Sequence, residues 1–328
     1  MSHPLIGPQA WRPVDVEVPA TSANLGPGFD AFALAVEMVD RFRVEPTGEL
    51  RPGGVEVSVE GEGEDVLPRD GTDAFTKAFE LGLSEELGRE TRLQAMGIGW
   101  RIGMQNAIPV ARGLGSSAAA VVGGIAAARA MVGGDAGPPE RIVASAASIE
   151  GHPDNVAAAV FGGFTIAISA EQGPIVARFD PPPRLHCVLF IPDRPLDTPL
   201  MRAALPETVP YGDAVHNVGR AALLVAAFAQ DRPELLRAAM DDRLHEPYRE
   251  GAYPELPRLL AAARDAGALG AALSGAGSTI IAFADDTARA ATAASALERE
   301  AATIALPGRA VIVRPRAEGV RIMGVRTG

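Results

Sequence analysis

Pro109-Val110-Ala111-Arg112-Gly113-Leu114-Gly115-Ser116-Ser117-Ala118-Ala119-Ala120 says more about this chain than any other twelve residues in it. Two glycines one residue apart permit positive φ and a close approach of the main chain to a partner. Two small hydroxyl residues follow and open an alanine-rich stretch, so the pattern predicts a loop running into a helix over 113–130, with Ser116 and Ser117 at the cap. Successive N–H groups in such a turn point into one concavity, and the helix dipole favours an anion there. A hydroxyl at that place also suits Mg²⁺ beside phosphate oxygens. The competing account is a glycine turn that merely lets an alanine helix pack tightly. The third glycine of a dinucleotide-binding fingerprint is missing.

Upstream of this loop, Val14, Val16 and Val18 alternate with Asp15 and Glu17, which predicts a half-buried strand over 14–19. A glycine-rich turn over 19–30, an apolar stretch over 31–38, strands over 41–45 and 55–59, a helix over 72–87 and a strand over 93–105 complete the first part. Downstream, a helix over 142–149 and a strand over 164–169 precede the cluster Pro181, Pro182 and Pro183, a turn or linker and a candidate domain boundary. Beyond it the patterns predict strands over 185–191, 270–273, 279–284 and 310–315, with helices over 215–230, 233–239, 256–266 and 287–300. Helices and strands are mixed in both halves, which argues for an α+β chain of two domains, each of two layers. No internal repeat or low-complexity tract interrupts it.

Three further segments concentrate chemistry. In Glu150-Gly-His152-Pro-Asp154-Asn155 four polar residues lie within six positions, between apolar runs. A carboxylate there would complete a Mg²⁺ shell with a serine hydroxyl and phosphate oxygens; the alternative is a helix terminus in which Asp and Asn satisfy backbone groups. His152 fits a hydrogen-bonded structural role or a substrate contact. The segment Pro19-Ala-Thr-Ser22-Ala-Asn24-Leu-Gly26-Pro-Gly28-Phe-Asp30 is by itself a turn. Leu273-Ser274-Gly275-Ala276-Gly277-Ser278 is by itself a tight hairpin between strands.

Composition excludes several classes. The 328 residues carry a net charge of −11, with 47% hydrophobic and 22% charged side chains, which is globular composition. A surface of that sign repels polyanions, so nucleic acid and anionic membranes are not expected partners, and any triphosphate must be held by local backbone N–H groups, arginines and a metal ion. Lys77 is the only lysine and sits in neither a G-x-x-x-x-G-K-[ST] loop nor a protein-kinase strand motif, which removes both mechanisms. Cys187 is the only cysteine, so an intramolecular disulfide or cysteine-based metal cluster is excluded; before the apolar run 188–191 it reads as a core residue. The N-terminal residues lack the basic and apolar regions of a signal peptide, and the apolar run over 118–131 is shorter than the ~20 residues of a membrane helix. A cytoplasmic chain is expected, and a homodimer is the default assembly.

Taken together, the loop at 109–119, the VPATSANLGPGFD opening at 18–30, EGHPDN at 150–155, Arg202 in MRAALP, DRLHEPYR at 242–249 and SGAG at 274–277 resemble the GHMP family of small-molecule kinases. The finer likeness is to its members that phosphorylate L-homoserine, and it covers nearly the whole chain. The resemblance implies a ribosomal-S5-domain-2-like N-terminal domain over 1–175 that binds ATP. It also implies a ferredoxin-like C-terminal domain over 176–328 that completes the substrate site between the two. It implies that Pro109 through Ala119 bind the nucleotide, chiefly through the backbone of Arg112 to Ser116, and that Ser117 and Glu150 hold Mg²⁺. Arg202 and Arg249 match the family's carboxylate-binding arginines, with Arg243 an alternative to Arg249. Asn24, Asp30, His152, Asp154 and Gly275 match residues around the acceptor's amine and hydroxyl, Asn24 or Asp30 orienting the hydroxyl without a dedicated base. Two positions depart from the family pattern: Ser278 replaces a usual proline, and Asp73 a common asparagine near the adenine pocket. A different acceptor within the family, or a binding module that only retains the nucleotide, are the rival readings.

Overall fold

A computed structural model describes residues 11–47, 54–87 and 98–325. Its first sheet is built on one long antiparallel hairpin, β1 (Val14–Asn24) and β2 (Gly28–Pro46), joined by only three residues. The expected strand over 14–19 therefore continues through the expected turn. Ala20, Thr21, Ser22 and Ala23 pair with Val36, Ala35, Leu34 and Ala33, and all eight are buried. A strand covered on both faces loses the two-residue alternation that would reveal it. Pro19 sits at a register shift, where a missing N–H is tolerated. β3 (Val55–Gly61) lies parallel to β4 (Trp100–Asn106), and α1 (Ala74–Glu86) connects them. The part of the strand expected over 93–105 that precedes residue 98 lies outside the described residues.

The alanine-rich helix is α2 (Ser116–Gly133), and it is buried along almost its whole length against α1 and β1. Its cap is Gly115 with φ 71°, and no side chain caps it, so the serines are the first helical residues instead of the cap. Gly123 and Gly124 let α1 approach: a Cβ on Gly124 would stand 2.4 Å from the carbonyl oxygen of Phe75. α3 (Pro139–Glu150) ends at Gly151 in the left-handed conformation. The following apolar run is a second helix, α4 (Asp154–Phe161), whose shortness hides its period. β5 (Phe164–Ile168) and β6 (Ile175–Phe179) pair with each other, β5 also with β2.

The chain crosses to a second sheet through the three prolines. β7 (His186–Pro192) leads to α5 (Thr198–Ala203), α6 (Tyr211–Ala229), a 3₁₀ turn (Pro233–Leu235), α7 (Leu236–Ala239), α8 (Glu246–Arg249) and α9 (Leu256–Asp265). β8 (Gly270–Leu273), β9 (Ile280–Ala284), α10 (Thr287–Thr303) and β10 (Gly308–Val313) follow. The sheet order β10-β7-β9-β8 is the 4-1-3-2 order of a ferredoxin-like fold. Last, β11 (Arg321–Val325) returns to pair with β1. β11 and all but the first residue of β6 thus belong to the first sheet although they fall within the 176–328 expected for the C-terminal domain; the returning strand covers an edge of β1 that would otherwise be open.

Alternation along β7 explains why the two layers are one body. Leu189 and Ile191 pack into the core of the first sheet, while Val188 and Phe190 pack under α9 and α10. Phe164 of β5 stacks on Phe228 of α6 at 4.3 Å between ring centroids, across the join. The close approach of α1 and α2 is a tight requirement on this frame. Gly124→Ala improves helix propensity, yet its Cβ meets helix backbone that cannot rotate away. We expect a net loss of about 1–3 kcal/mol by urea unfolding; a neutral or stabilised variant would contradict the packing described.

Candidate active site

The loop before α2 is held in shape by contacts from both sheets. Thr21 N–H donates to Leu114 O at 3.0 Å, and Thr279 N–H donates to Arg112 O at 3.1 Å. The Ser274 hydroxyl donates to Gly113 O at 2.6 Å. A Cβ on Gly113 would lie 2.1 Å from Ser274 O and one on Gly115 2.0 Å from Thr21 Oγ1, so only glycine fits either place. With Ala119 N–H as the first donor back into the helix, to Gly115 O, the N–H groups of residues 116–118 have no helical acceptor. They front a cleft of about 580 Å³ between the two sheets.

Val110, Ala111, Arg112, Gly113, Gly115, Ser116, Ser117 and Ala118 line that cleft. Pro109, Leu114 and Ala119 do not: they are buried behind it and serve as footing. The Arg112 side chain is also occupied, its guanidinium donating to the carbonyls of Val110, Pro192 and Asp193. Burial lowers its pKa. The loop thus offers backbone donors to an anion, and its one cation fastens the loop to the second domain.

At the helix start Ser117 Oγ donates to Glu150 Oε1 at 2.7 Å. A hydroxyl and a carboxylate beside a helix start with unbonded N–H groups are hard oxygen donors, and two of them with water and the oxygens of a bound anion match how Mg²⁺ is usually held. Among the described residues no cluster of three or more His, Cys, Asp or Glu forms a closed metal cage. The donors present fit a cation that arrives with its phosphates.

Asn24, Asp30, His152, Asp154, Arg202, Arg249 and Gly275, far apart in sequence, all line the same cleft. Asn24, with φ 71°, accepts on Oδ1 from Asp30 N–H and donates through Nδ2 to Gly275 O at 2.9 Å, which ties the β1–β2 turn to the second domain. Asp30 receives Arg202 bidentately, at 2.9 and 3.0 Å. His152 Nδ1 donates to Asp154 Oδ1 at 2.9 Å, and this bond raises the imidazole pKa above its ordinary value despite partial burial. Arg249 is 1% exposed, and burial brings its pKa down to about 10, still cationic at neutral pH. Arg243, the alternative to Arg249, lies away from the cleft and pairs with Asp213 at 3.3 Å.

The other end of the cleft went unread in the sequence. Phe42, Leu67, Phe75, Met104, Ile108 and Ile149 form an apolar slot there, with Phe42 stacked on Phe75 at 4.5 Å. On their elements these residues follow the same periodicity as the core, so no local signal separates slot from interior. Asp73 lines the slot but is committed as N-cap of α1, accepting from Thr76 N–H and Oγ1. Asp40 was also missed; its only signal is an acid next to the apolar pair Met38 and Val39 on β2. Burial pushes its pKa up to about 7, against two backbone donors, Ala107 and Ile108.

The family profile described as GHMP kinases N terminal domain matches residues 75–163, and that described as GHMP kinases C terminal matches 224–303. The homoserine kinase of Moorella thermoacetica is 42% identical over 268 residues, 82% of this chain and 86% of that one. That of Streptomyces coelicolor is 44% identical over 278 residues, covering 84% and 86%. Among solved structures, a homoserine kinase from Cytophaga hutchinsonii superposes with a TM-score of 0.83 at 25% identity, covering 96% of this chain and 98% of its own.

Asp40 gives the cleft a measurable pH signature. Its carboxyl holds a proton more firmly folded than unfolded, so the associated stability is full below about pH 4 and is lost as pH rises towards 7. Between pH 5 and pH 8 the wild type should lose roughly 2–3 kcal/mol more unfolding free energy than Asp40→Asn, which keeps the acceptor for both N–H groups. Parallel pH profiles for the two proteins in urea titrations would disprove this.

Proposed function

Because the chain belongs to the GHMP family, among its homoserine kinases, and is an ATP-dependent small-molecule kinase, we propose that it transfers the γ-phosphoryl group of ATP to the side-chain hydroxyl of L-homoserine. The product is O-phospho-L-homoserine, an intermediate of threonine biosynthesis, and the expected setting is the cytoplasm. The observation that carries this reading is the cleft itself. A zwitterion-sized set of opposite charges, Asp30, Asp154, Arg202 and Arg249, shares one wall system with the unbonded N–H groups at the start of α2.

The nucleobase takes the apolar slot by Phe42 and Phe75, and the phosphates run to the loop. Main-chain N–H groups at 113–118 bind the phosphoryl oxygens, and their position, fixed by both sheets, means little reorganisation as charge shifts during transfer. Ser117 and Glu150 would hold Mg²⁺, which neutralises charge on the phosphate oxygens when bound. The acceptor lies on the opposite wall. Asp30 and Asn24 face its hydroxyl and amine, and the arginines face its carboxylate, for which guanidinium is the fitting donor. During transfer the acceptor oxygen bonds to the γ-phosphorus, the bond from that phosphorus to the β–γ bridging oxygen breaks, ADP leaves with the electron pair, and the hydroxyl proton passes to an oxygen of the transferred phosphoryl group and from there to solvent.

Both acceptor-side carboxylates are engaged, Asp30 with Arg202 and Asp154 with His152. Neither is free to take the hydroxyl proton, so placement and charge neutralisation carry the rate, as a loose phosphoryl transition state allows. His152, its imidazole pKa raised by the bond to Asp154, holds that carboxylate in place through Nδ1.

A coupled assay for ADP with L-homoserine, mevalonate and galactose tests the assignment. Turnover is expected with homoserine; phosphorylation of mevalonate or galactose but not homoserine would overturn it. ATP binding with no turnover of any acceptor would mark a binding module. Glu150→Ala is expected to remain folded and to lose about 100-fold or more in kcat, the worth of several kcal/mol of charge stabilisation. Activity near wild type would remove Glu150 from the metal role.

A further inference from the structure

Arg249 is a buried cation with most of its donors already assigned. Its Nε–H donates to Met201 O at 3.3 Å, and Nη1 donates both to Gly275 O at 2.9 Å and to His245 Nδ1 at 3.2 Å. Among the described residues no acceptor bonds Nη2, and the side chain is part of the cleft wall. The guanidinium lies over the Phe29 ring at 5.4 Å, and Phe29 in turn stacks on His245 at 5.2 Å. Arg202, the other arginine of the pair, spends its forked edge on Asp30. Arg249 is therefore the arginine that keeps an edge for an incoming carboxylate.

What aims that edge is His245, four residues before Arg249 in the DRLHEPYR segment at 242–249. Its Nε2 stands 2.8 Å from Gly26 O, an acceptor only, so Nε2 carries the hydrogen. Its Nδ1 faces an arginine N–H, a donor only, so Nδ1 carries none. Both neighbours thus select the same neutral tautomer. The ring's own place is set by Asp242, whose carboxylate accepts from Asn217 Nδ2 and from the N–H groups of Leu244, His245 and Glu246. We propose that His245 is a positioning residue for acceptor recognition: anchored to Gly26 in the β1–β2 turn, it orients Arg249 so that the free Nη2 edge meets the acceptor's carboxylate.

This rests on the reading that Arg249 binds that carboxylate. Burial supports the neutral form by bringing the His245 pKa down to about 4. A protonated ring would set two cations against each other at the Nη1 contact and abolish the acceptor that holds Arg249. The carbonyl of Gly26 belongs to the turn that carries Asn24 and Phe29, so the first domain reads out on an arginine of the second.

The test compares His245→Asn, His245→Gln and Arg249→Lys. Asparagine places its amide oxygen near the Nδ1 position and keeps the acceptor for Arg249; glutamine reaches the Nε2 position and keeps the donor for Gly26. Each enzyme is assayed with L-homoserine and with L-homoserinamide, whose carboxylate is neutralised, and the ratio of the two kcat/KM values is taken on one sample, so that any unfolded fraction cancels. The Gln and Lys variants are expected to lose about 10-fold to 100-fold of the preference for homoserine, as a rise in homoserine KM with ATP KM unchanged. The Asn variant should retain most of it. If Arg249→Lys collapses the ratio while Gln and Asn variants behave alike, the positioning role is wrong and the carboxylate reading survives. If Arg249→Lys leaves the ratio at the wild-type value, the carboxylate reading fails and the role of His245 with it.

Discussion

The turn at Gly113 and Gly115 is gripped between two sheets, and the rest of the site depends on that grip. Thr21 from the first sheet and Ser274 and Thr279 from the second bond three consecutive carbonyls, those of Leu114, Gly113 and Arg112. The carbonyls so held lead into a helix start whose N–H groups at 116–118 have no helical acceptor, which is the polarity an anion needs. The contact distances leave no room for a side chain at either glycine. A loop held in this way cannot belong to one domain alone, since two of the three donors that shape it come from the other.

That dependence also explains how far the sequence reading reached. The loop and the helix after it could be read because they are local, a run of small residues at a cap region; Ser117 and Glu150 were each marked by their own segment, but that they meet, 33 positions apart, is a product of the fold. The seven acceptor-side residues came from resemblance to a family, since nothing in 328 residues says that Asp30 and Arg202 are partners 172 positions apart. The β1–β2 hairpin was under-read because its buried end shows no alternation, and α4 because eight residues are too few to show a helical period. The apolar slot was missed for a related reason. Phe42 and Met104 follow a strand alternation like that of any core residue, and only the tertiary fold decides which apolar positions border empty space.

Charge is arranged against the composition. The chain is acidic overall, yet it must hold a polyanion and an amino acid without a lysine in the loop. Backbone N–H groups and the α2 dipole supply positive potential with no ionisable side chain. The guanidinium of Arg112 is diverted to carbonyls, so it stiffens the loop without adding a mobile counter-ion that would have to be displaced. The acids close to the phosphate end, Glu150 above all, would repel a triphosphate unless a cation came with it. Their presence is itself a reason to expect binding of the metal complex in preference to the bare nucleotide.

On the proposed reading the two arginines divide the acceptor's recognition in a way that Lys could not reproduce. A bidentate pair such as Asp30 with Arg202 spans the domains and is fixed in plane, so it sets the separation between the turn after β1 and α5. Arg249 needs the same planarity for a different purpose: three acceptors hold two of its nitrogens, and rigidity carries that restraint to the third. An ammonium group has no such plane and would turn freely. A small zwitterion offers few atoms to bind, so selectivity among hydroxylated acceptors has to come from donors whose direction is fixed before it arrives. The buried polar network behind Arg249 is the part of the protein that fixes it.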